Sequence, residues 1–327
     1  MAFQVSPGVQ VKEIDASGVI PAVSTSIGGF AGSFNWGPVE EVRTVSSETE
    51  LASIFGTPDS DTFKYFLTAA SFLKYGNALK VVRVASGHLN ATDGTAKLVK
   101  NEDHYDELTH DGSFIAKYPG KLGNSLKVVI CPANATAFAA FAQASSFDGA
   151  PGTSDSAALL GHSNDELHVA VVDTDGTWSG TAGTVLEAFQ YLSQASDSKK
   201  SDGQSNYYKE VINRTSKYVY WTGHPTTVLT DCGESLAGQA SATAYVTGTA
   251  AIESAMAGGT DDNTPTTGHI GNGFDLLADA ETIDVNLLFA YPDINGAKDI
   301  ADKLIAICNA RKDCMAFVSP PIDDSVG

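Results

Sequence analysis

The sequence predicts a mixed α/β chain (α+β overall): a parallel sheet covered by helices, a β-rich middle and an extended N-terminal arm. Three observations carry this reading. In the first hundred residues, Phe63, Phe66, Leu67, Ala70 and Leu73 recur at helical spacing, Gly76-Asn77 stops the run, and residues 79–84 follow as an apolar strand. Helix then strand across a tight turn is the unit of an α/β layer. In the last seventy, an apolar strand over 285–291, a helix with Ile300, Leu304, Ile305 and Cys308 as its buried stripe, and a second apolar strand over 314–318 fall within about 35 residues, the span of a βαβ crossover. Between these ends, strands are expected over 127–131, 168–173 and 217–221, set among stretches rich in Ala, Ser, Gly and Asp.

Taken in order, Val9, Val11 and, one step out of phase, Ile14 place apolar groups mostly on one face of a strand-like arm, with Gln10 and Lys12 opposite, while Pro7-Gly8 keeps the entry non-helical. A lone terminal strand leaves unpaired N–H and C=O groups, which favours pairing with the chain's own sheet or a neighbour's. Residues 24–32 form a small-residue strand whose glycines permit close backbone approach. A turn at Trp36-Gly37-Pro38 leads to a short strand over 42–45, then Ser46 and Ser47 offer an N-cap with Glu48 and Glu50 in the first turn. Residues 85–113 are polar and weakly patterned and read as a linker or loop, Val185, Leu186, Phe189 and Leu192 mark a helix, 229–268 is small and polar, and 275–280 is a short helix. These readings divide the chain into an arm (1–22), a first α/β segment (23–90), a β-rich middle (91–256) and a second α/β segment (257–327).

Composition excludes whole classes of function. Asp and Glu number 39 against 20 Lys and Arg, a net charge of −19, so no basic patch can offset repulsion from a phosphate backbone. With 43% apolar and 18% charged residues the chain reads as globular. No run of about 18 apolar residues is present to span a membrane, and no basic-then-apolar leader marks secretion. Cys131, Cys232, Cys308 and Cys314 are scattered, without a CxxC pair, and read as buried free thiols of a reducing cytoplasm.

Several fragments imitate catalytic signatures. Gly152-Thr153-Ser154-Asp155-Ser156-Ala157 looks like the nucleophile segment of a subtilisin-type protease, but none of the preceding His88, His104 and His110 stands in a matching helix start. Around Gly161-His162-Ser163-Asn164-Asp165 a nucleophile elbow fails for want of glycine at 165, and the phosphate loop at Gly120-Lys121 fails at Ile115 and Leu122. Gly271-Asn272-Gly273 lacks the third dinucleotide glycine at Leu276 and is read as a packing feature. Asp103, His104, Asp106, His110 and Asp111 match no zinc or calcium spacing and read as a solvated loop, and Asp173-Thr174-Asp175-Gly176 as a turn. No acid–base pair stands at a recognisable spacing, so the chain is expected not to be an enzyme and to need no cofactor.

Read in order, the patterned segments resemble the tail sheath proteins of contractile-tailed bacteriophages. The resemblance rests on Ser6-Pro7-Gly8-Val9-x-Val11-Lys12-Glu13, Ser24-Thr25-Ser26-x-Gly28-Gly29-Phe30-Ala31-Gly32, Phe34-x-Trp36-Gly37-Pro38, Phe55-Gly56-x-Pro58 and Phe72-Leu73-x-Tyr75-Gly76-Asn77 before Val81-Val82-Arg83. It continues through Tyr118-Pro119-Gly120-x-Leu122-Gly123, Leu186-Glu187, Gly258-Gly259-Thr260-Asp261-Asp262, Asp284-Val285-Asn286-Leu287-Leu288 and Ala310-Arg311-x-Asp313-Cys314, leading to Ser319-Pro320-Pro321. The resemblance implies a structural subunit of the virion, assembled in the host cytoplasm into stacked hexameric rings around a tail tube. It also implies contraction on a baseplate signal, contacts with tube, baseplate and tail terminator proteins, and neither nucleic-acid binding nor membrane insertion. It further implies a subtilisin-like topology without protease activity, and an arm whose Val9, Val11, Lys12 and Ile14 add a strand to a neighbouring subunit. Two departures stand out: residues 85–113 are too few for the extra outer domain of larger members, and the chain stops at Gly327 where members normally continue. The second is that of either a fragment or a naturally short subunit, and the βαβ unit at 284–319, which ends on a strand lacking further neighbours, favours a fragment. The competing readings are a serine hydrolase built on Ser154 and a receptor- or glycan-binding module built on the aromatic strand at 218–221.

Overall fold

The computed structural model describes residues 26–225, 245, 248–291 and 297–319. In chain order these form β1 (Gly28–Gly32), β2 (Val42–Val45), α1 (Glu48–Phe55), α2 (Phe63–Leu73), β3 (Leu79–Arg83), α3 (Glu102–Glu107) and β4 (Phe114–Ala116). Next come β5 (Leu126–Pro132), α4 (Ala135–Ala139), α5 (Asp155–Leu159), β6 (Glu166–Asp173), β7 (Thr184–Ser193), α6 (Tyr208–Thr215) and β8 (Val219–Trp221). The series closes with β9 (Ile252–Ala255), α7 (Thr267–Asp275), β10 (Leu287–Phe289), α8 (Ala297–Arg311) and β11 (Met315–Phe317).

The two ends of the sequence build one sheet, in the order β11-β10-β1-β3-β2, parallel except for β2 at one edge. Both faces are covered, as parallel sheets require. The alternation of β1 shows how: Gly28 and Gly32 abut Phe72 and Tyr65 of α2, whereas Gly29 and Ala31 face Leu277 and Gly273 on the α7 side. At Gly273 a Cβ would lie 2.6 Å from Val84 Cγ1 and 3.0 Å from the Ala31 Cβ, so only glycine lets α7 sit this close to the sheet. Gly273→Val should therefore cost about 1–3 kcal/mol through overpacking, read as a lower denaturant midpoint.

The middle of the chain builds a four-stranded antiparallel sheet, β7-β6-β5-β9, and a two-stranded one, β4-β8. Alternate residues of β5 and β6 feed two cores. Val128, Ile130, Val169 and Val171 pack with Phe114, Trp221 and Tyr208, while Val129, Cys131, Ala170 and Val172 pack with Phe141 and Phe147. With both faces buried, each of these strands reads in the sequence as a near-continuous apolar run.

Several expectations are corrected. The helix expected at Val185–Leu192 is strand β7, paired antiparallel with β6. Register breaks between Leu167 and Val169 and between Val171 and Val172 each set an extra β7 residue against β6, which stretches an alternating pattern to the three-residue spacing of Leu186, Phe189 and Leu192. One extra residue, Tyr191, has φ of 52°, and its N–H donates to His168 Nδ1 at 3.0 Å. Residues 85–113 are not a plain linker. They contain α3, whose N-cap Asn101 accepts from the His104 N–H, and they bury Val99 and Tyr105 against Ile115 and Tyr220. The helix expected at 275–280 lies earlier, as α7, started by a capping box between Thr266 and His269. The polar stretch 229–268 holds β9.

Two helices are rotated from the stripe read off the sequence. Leu67 of α2 is 51% exposed and Phe63 is exposed too, with Tyr65, Phe66, Ala69 and Ala70 turned inward. On α8, Ile305 is 48% exposed and Ile307 takes the buried place beside Ile300 and Leu304. The outer strand β11 presents Met315 and Phe317 to solvent.

Candidate functional site

The residues that carry the sequence resemblance are strung along the chain, but the fold gathers four of the segments around Arg83. This side chain is fully buried at the end of β3. Its Nε donates to the Phe34 carbonyl (2.8 Å), Nη1 to that of Gly37 (2.8 Å) and Nη2 to that of Pro119 (2.7 Å). Burial pulls the guanidinium down to about 9, against Asp261 and Tyr118 which push it up, so it stays charged at neutral pH. Asp261 accepts the Lys121 N–H at 2.7 Å. Gly120, at φ of 140°, stands so that a Cβ would lie 2.9 Å from the Asn35 carbonyl, and Trp36 meets Tyr118 edge-on at 5.4 Å. Phe34-to-Pro38, Val81-to-Arg83, Tyr118-to-Gly120 and Gly258-to-Asp262 thus form one seam between the parallel and antiparallel sheets.

The chain crosses that seam twice, and the crossings pair. Leu89 and Thr260 exchange N–H···O bonds at 3.1 and 3.2 Å, and Thr92 and Ala257 do so at 3.0 Å each way. Asn124 closes a further pair with Gly259, donating to its carbonyl at 2.9 Å and accepting its N–H at 2.7 Å. Beneath them His88 is buried, with Nε2 donating to Asn263 Oδ1 at 3.3 Å, the same oxygen that accepts from Ser33 Oγ at 3.0 Å. Burial first, then the Arg83 charge, drives His88 down to about 4.

The catalytic imitations resolve into structural roles. Ser154 is the N-cap of α5: its Oγ accepts the Ala157 N–H at 3.2 Å and donates to Asp165 Oδ2 at 2.6 Å. Asp165 is itself buried and also takes the Ser154 N–H and the Ser193 hydroxyl. No imidazole is bonded to Ser154, and His168 is spent between the Gly149 carbonyl and the Tyr191 N–H. The segment also borders the antiparallel sheet, away from the parallel one. Asp173 is a clasp. It accepts from Ser125 Oγ (2.5 Å), from the N–H groups of Gly176, Trp178 and Ser179 (2.9 to 3.0 Å), and from Ser179 Oγ (2.9 Å). Burial alone would raise this carboxyl, but bonds from Ser125, Ser179 and Trp178 outweigh it and hold it below the usual range. Asp173→Asn, which replaces one acceptor oxygen by a donor facing donors, should lower stability by about 2 kcal/mol in denaturant titration.

Of the acidic and imidazole cluster, Asp103, His104 and Asp106 lie on α3 and not in a loop. His104 Nδ1 accepts the Lys100 N–H (3.2 Å), and His110 Nε2 donates to the Tyr105 carbonyl (2.8 Å). Among the described residues no three His, Cys, Asp or Glu side chains are grouped to hold a metal ion, and no helix is long and apolar enough to cross a membrane. The aromatic strand at 218–221 is largely interior: Val219, Tyr220 and Trp221 are all buried, so it offers no exposed aromatic face. Val9, Val11, Lys12 and Ile14 of the arm lie outside the described residues.

The Arg83 seam was missed in the sequence because its acceptors are backbone carbonyls, which leave no residue signature. Comparison with known proteins then adds the family. A family model described as the tail sheath protein Gp18 domain III N-terminal region matches residues 25–84, from just before β1 to just past β3. The tail sheath protein of Salmonella phage ViI is 25% identical over 423 aligned positions, covering all of this chain and 62% of that protein. The tail sheath protein of Enterobacteria phage T4 is 41% identical over 78 residues, 24% of this chain and 12% of that one. Among solved structures, the sheath tail protein Lin1278 of Listeria innocua superposes with a TM-score of 0.46 at 13% identity, covering 88% of this chain and 45% of that chain. The chain thus spans less than two thirds of the length of these relatives. Family match and curated relatives agree with the resemblance read from the sequence: over residues 25–84 this chain is similar to the tail sheath family, and the curated relatives it matches are phage tail sheath proteins.

Proposed function

We propose that this chain is a structural subunit of a contractile tail sheath, stacking in hexameric rings around a tail tube and contracting to drive that tube through the host envelope. The observation that carries the reading is the family match over residues 25–84, which takes in the strands and helices β1, β2, β3, α1 and α2 of the parallel sheet. In this reading the energy of contraction resides in contacts between subunits, the parallel-sheet part is subtilisin-like in topology without its chemistry, and the divisions at 1–22, 23–90, 91–256 and 257–327 are its working units. Tail tube, baseplate and terminator proteins are its partners, and it is assembled in the host cytoplasm before entering the virion.

The arm is the linking element: Val9, Val11, Lys12 and Ile14 add a strand to a neighbour's sheet, where main-chain hydrogen bonds give affinity and alternate side chains give register. Negative-stain microscopy of the full-length protein should show striated cylinders, and a monomer at every concentration would overturn the proposal. Removing residues 1–19 should leave a soluble folded protein that forms no cylinders, since the arm contributes to a neighbour's sheet and not to its own. Cylinders of normal appearance from the shortened chain would remove the arm from the assembly.

A further inference from the structure

The four cysteines look unrelated in the sequence, yet the fold brings two of them into contact. Cys308 lies in the last turn of α8 and Cys314 one residue before β11, with their Sγ atoms 3.2 Å apart. The approach is made by the helix end: Lys312 adopts φ of 66°, and its N–H donates to the Cys308 carbonyl at 2.9 Å, turning the chain back on itself. Arg311 fixes the same turn, donating to the carbonyls of Leu277 (2.8 Å), Asp279 (3.0 Å) and Ile283 (2.8 Å). Both thiols are half-buried and so within reach of small solutes, whereas Cys131 is sealed between β5 and its core. Closing the sulfur pair to a bond of about 2.0 Å needs a movement of about an ångström, within the freedom of two side chains at a helix end.

We propose that Cys308 and Cys314 are a thiol–disulfide exchange site, oxidised by a low-molecular-weight disulfide such as oxidised glutathione, which reversibly staples the end of α8 to the edge strand β11. The thiolate of Cys314 attacks the glutathione disulfide, forming a mixed disulfide and releasing one glutathione thiolate. Cys308 then attacks the Cys314 sulfur and releases the second. Two electrons pass from the cysteine pair to the glutathione disulfide, and the two cysteine protons end on the two glutathione thiols. Burial, then the Cys314 neighbour, pushes the Cys308 thiol up to about 12, which disfavours its thiolate as the first nucleophile.

The test uses the full-length protein. It is treated with excess oxidised glutathione, blocked with N-ethylmaleimide, unfolded without reductant and digested with trypsin. Cleavage after Lys303, Arg311 and Lys312 separates Cys308, in peptide 304–311, from Cys314, in the peptide beginning at residue 313. The expected product joins these two peptides, lighter than their sum by two hydrogens and split by dithiothreitol. Blocked thiols on both, separate glutathione adducts on both, or joining to Cys131 or Cys232 would overturn the site. In Cys308→Ser, exchange should stop at a glutathione adduct on Cys314, and failure to find that adduct would overturn the order of attack.

Discussion

Replacing Arg83 by Ala should lower stability by about 3–5 kcal/mol, the range for breaking a buried charged network. The guanidinium donates to the Phe34, Gly37 and Pro119 carbonyls together, so its loss leaves three buried acceptors facing a void. The void adds a packing cost to the lost hydrogen bonds. Arg83→Lys should fall between the two, because one ammonium cannot satisfy three carbonyls placed for a planar fork. Arg83→Met refills the volume but restores no donor, and so separates the packing cost from the bonding cost. Denaturant titration followed by tryptophan emission is a suitable readout, since Trp36 lies at the seam. A loss below about 1 kcal/mol for the Ala variant would mean that the seam does not depend on this residue.

Acidification from pH 6.5 to 4 should remove up to about 3 kcal/mol of stability through His88. Its folded value, about 4, lies below the ordinary value of 6.5, so in that window the unfolded chain takes up the proton and the folded chain resists it. Stability is therefore full above the unfolded value and falls as pH drops toward the folded one. The structure shows why protonation is resisted. Nε2 already donates to Asn263, Nδ1 has no hydrogen-bond partner among the described residues, and a second ring proton would sit near the Arg83 charge. His168 acts in the same direction: burial lowers it, and its Nδ1 must stay unprotonated to accept the Tyr191 N–H. Of the carboxylates, Asp262, held at about 2 chiefly by the hydroxyls of Ser86 and Thr264, gives up its contribution at lower pH, whereas burial raises Glu166, whose protonation works in the opposite direction. His88→Gln should flatten the slope between pH 6.5 and 4 while leaving the steeper loss below pH 4. An unchanged slope would place the proton uptake elsewhere.

How much could be read from residues alone follows from what each element depends on. Helix α1 was legible because its start is local: Ser47 accepts the Glu50 N–H at 3.2 Å, and Glu50 reaches back to the Ser46 N–H and hydroxyl at 2.8 and 2.6 Å. Strands β5 and β6 were legible because both faces are largely buried, which leaves the apolar runs 128–131 and 169–172 in the sequence. Helix α7 was misplaced because Gly268, Gly271 and Gly273 argue against a helix on propensity, and only the nearness of Ala31, Val82 and Val84 gives Gly273 its reason. Helix α3 was missed because one buried residue, Tyr105, anchors six polar-looking positions, its hydroxyl donating to the Trp221 carbonyl far along the chain. The Arg83 seam is a product of folding, since its acceptors are backbone carbonyls from distant segments, and the Cys308–Cys314 contact depends on the chain turning back at Lys312.

Because the outgoing and returning strands at the seam are laced to one another at Leu89–Thr260 and Thr92–Ala257, the two sheets are joined by a ribbon and not by a thread. A single tether bends and swivels freely, whereas a ribbon resists twisting about its own length. Torque applied to the antiparallel sheet is therefore transmitted to the parallel one, and the body turns as a lever with little slack at its fulcrum.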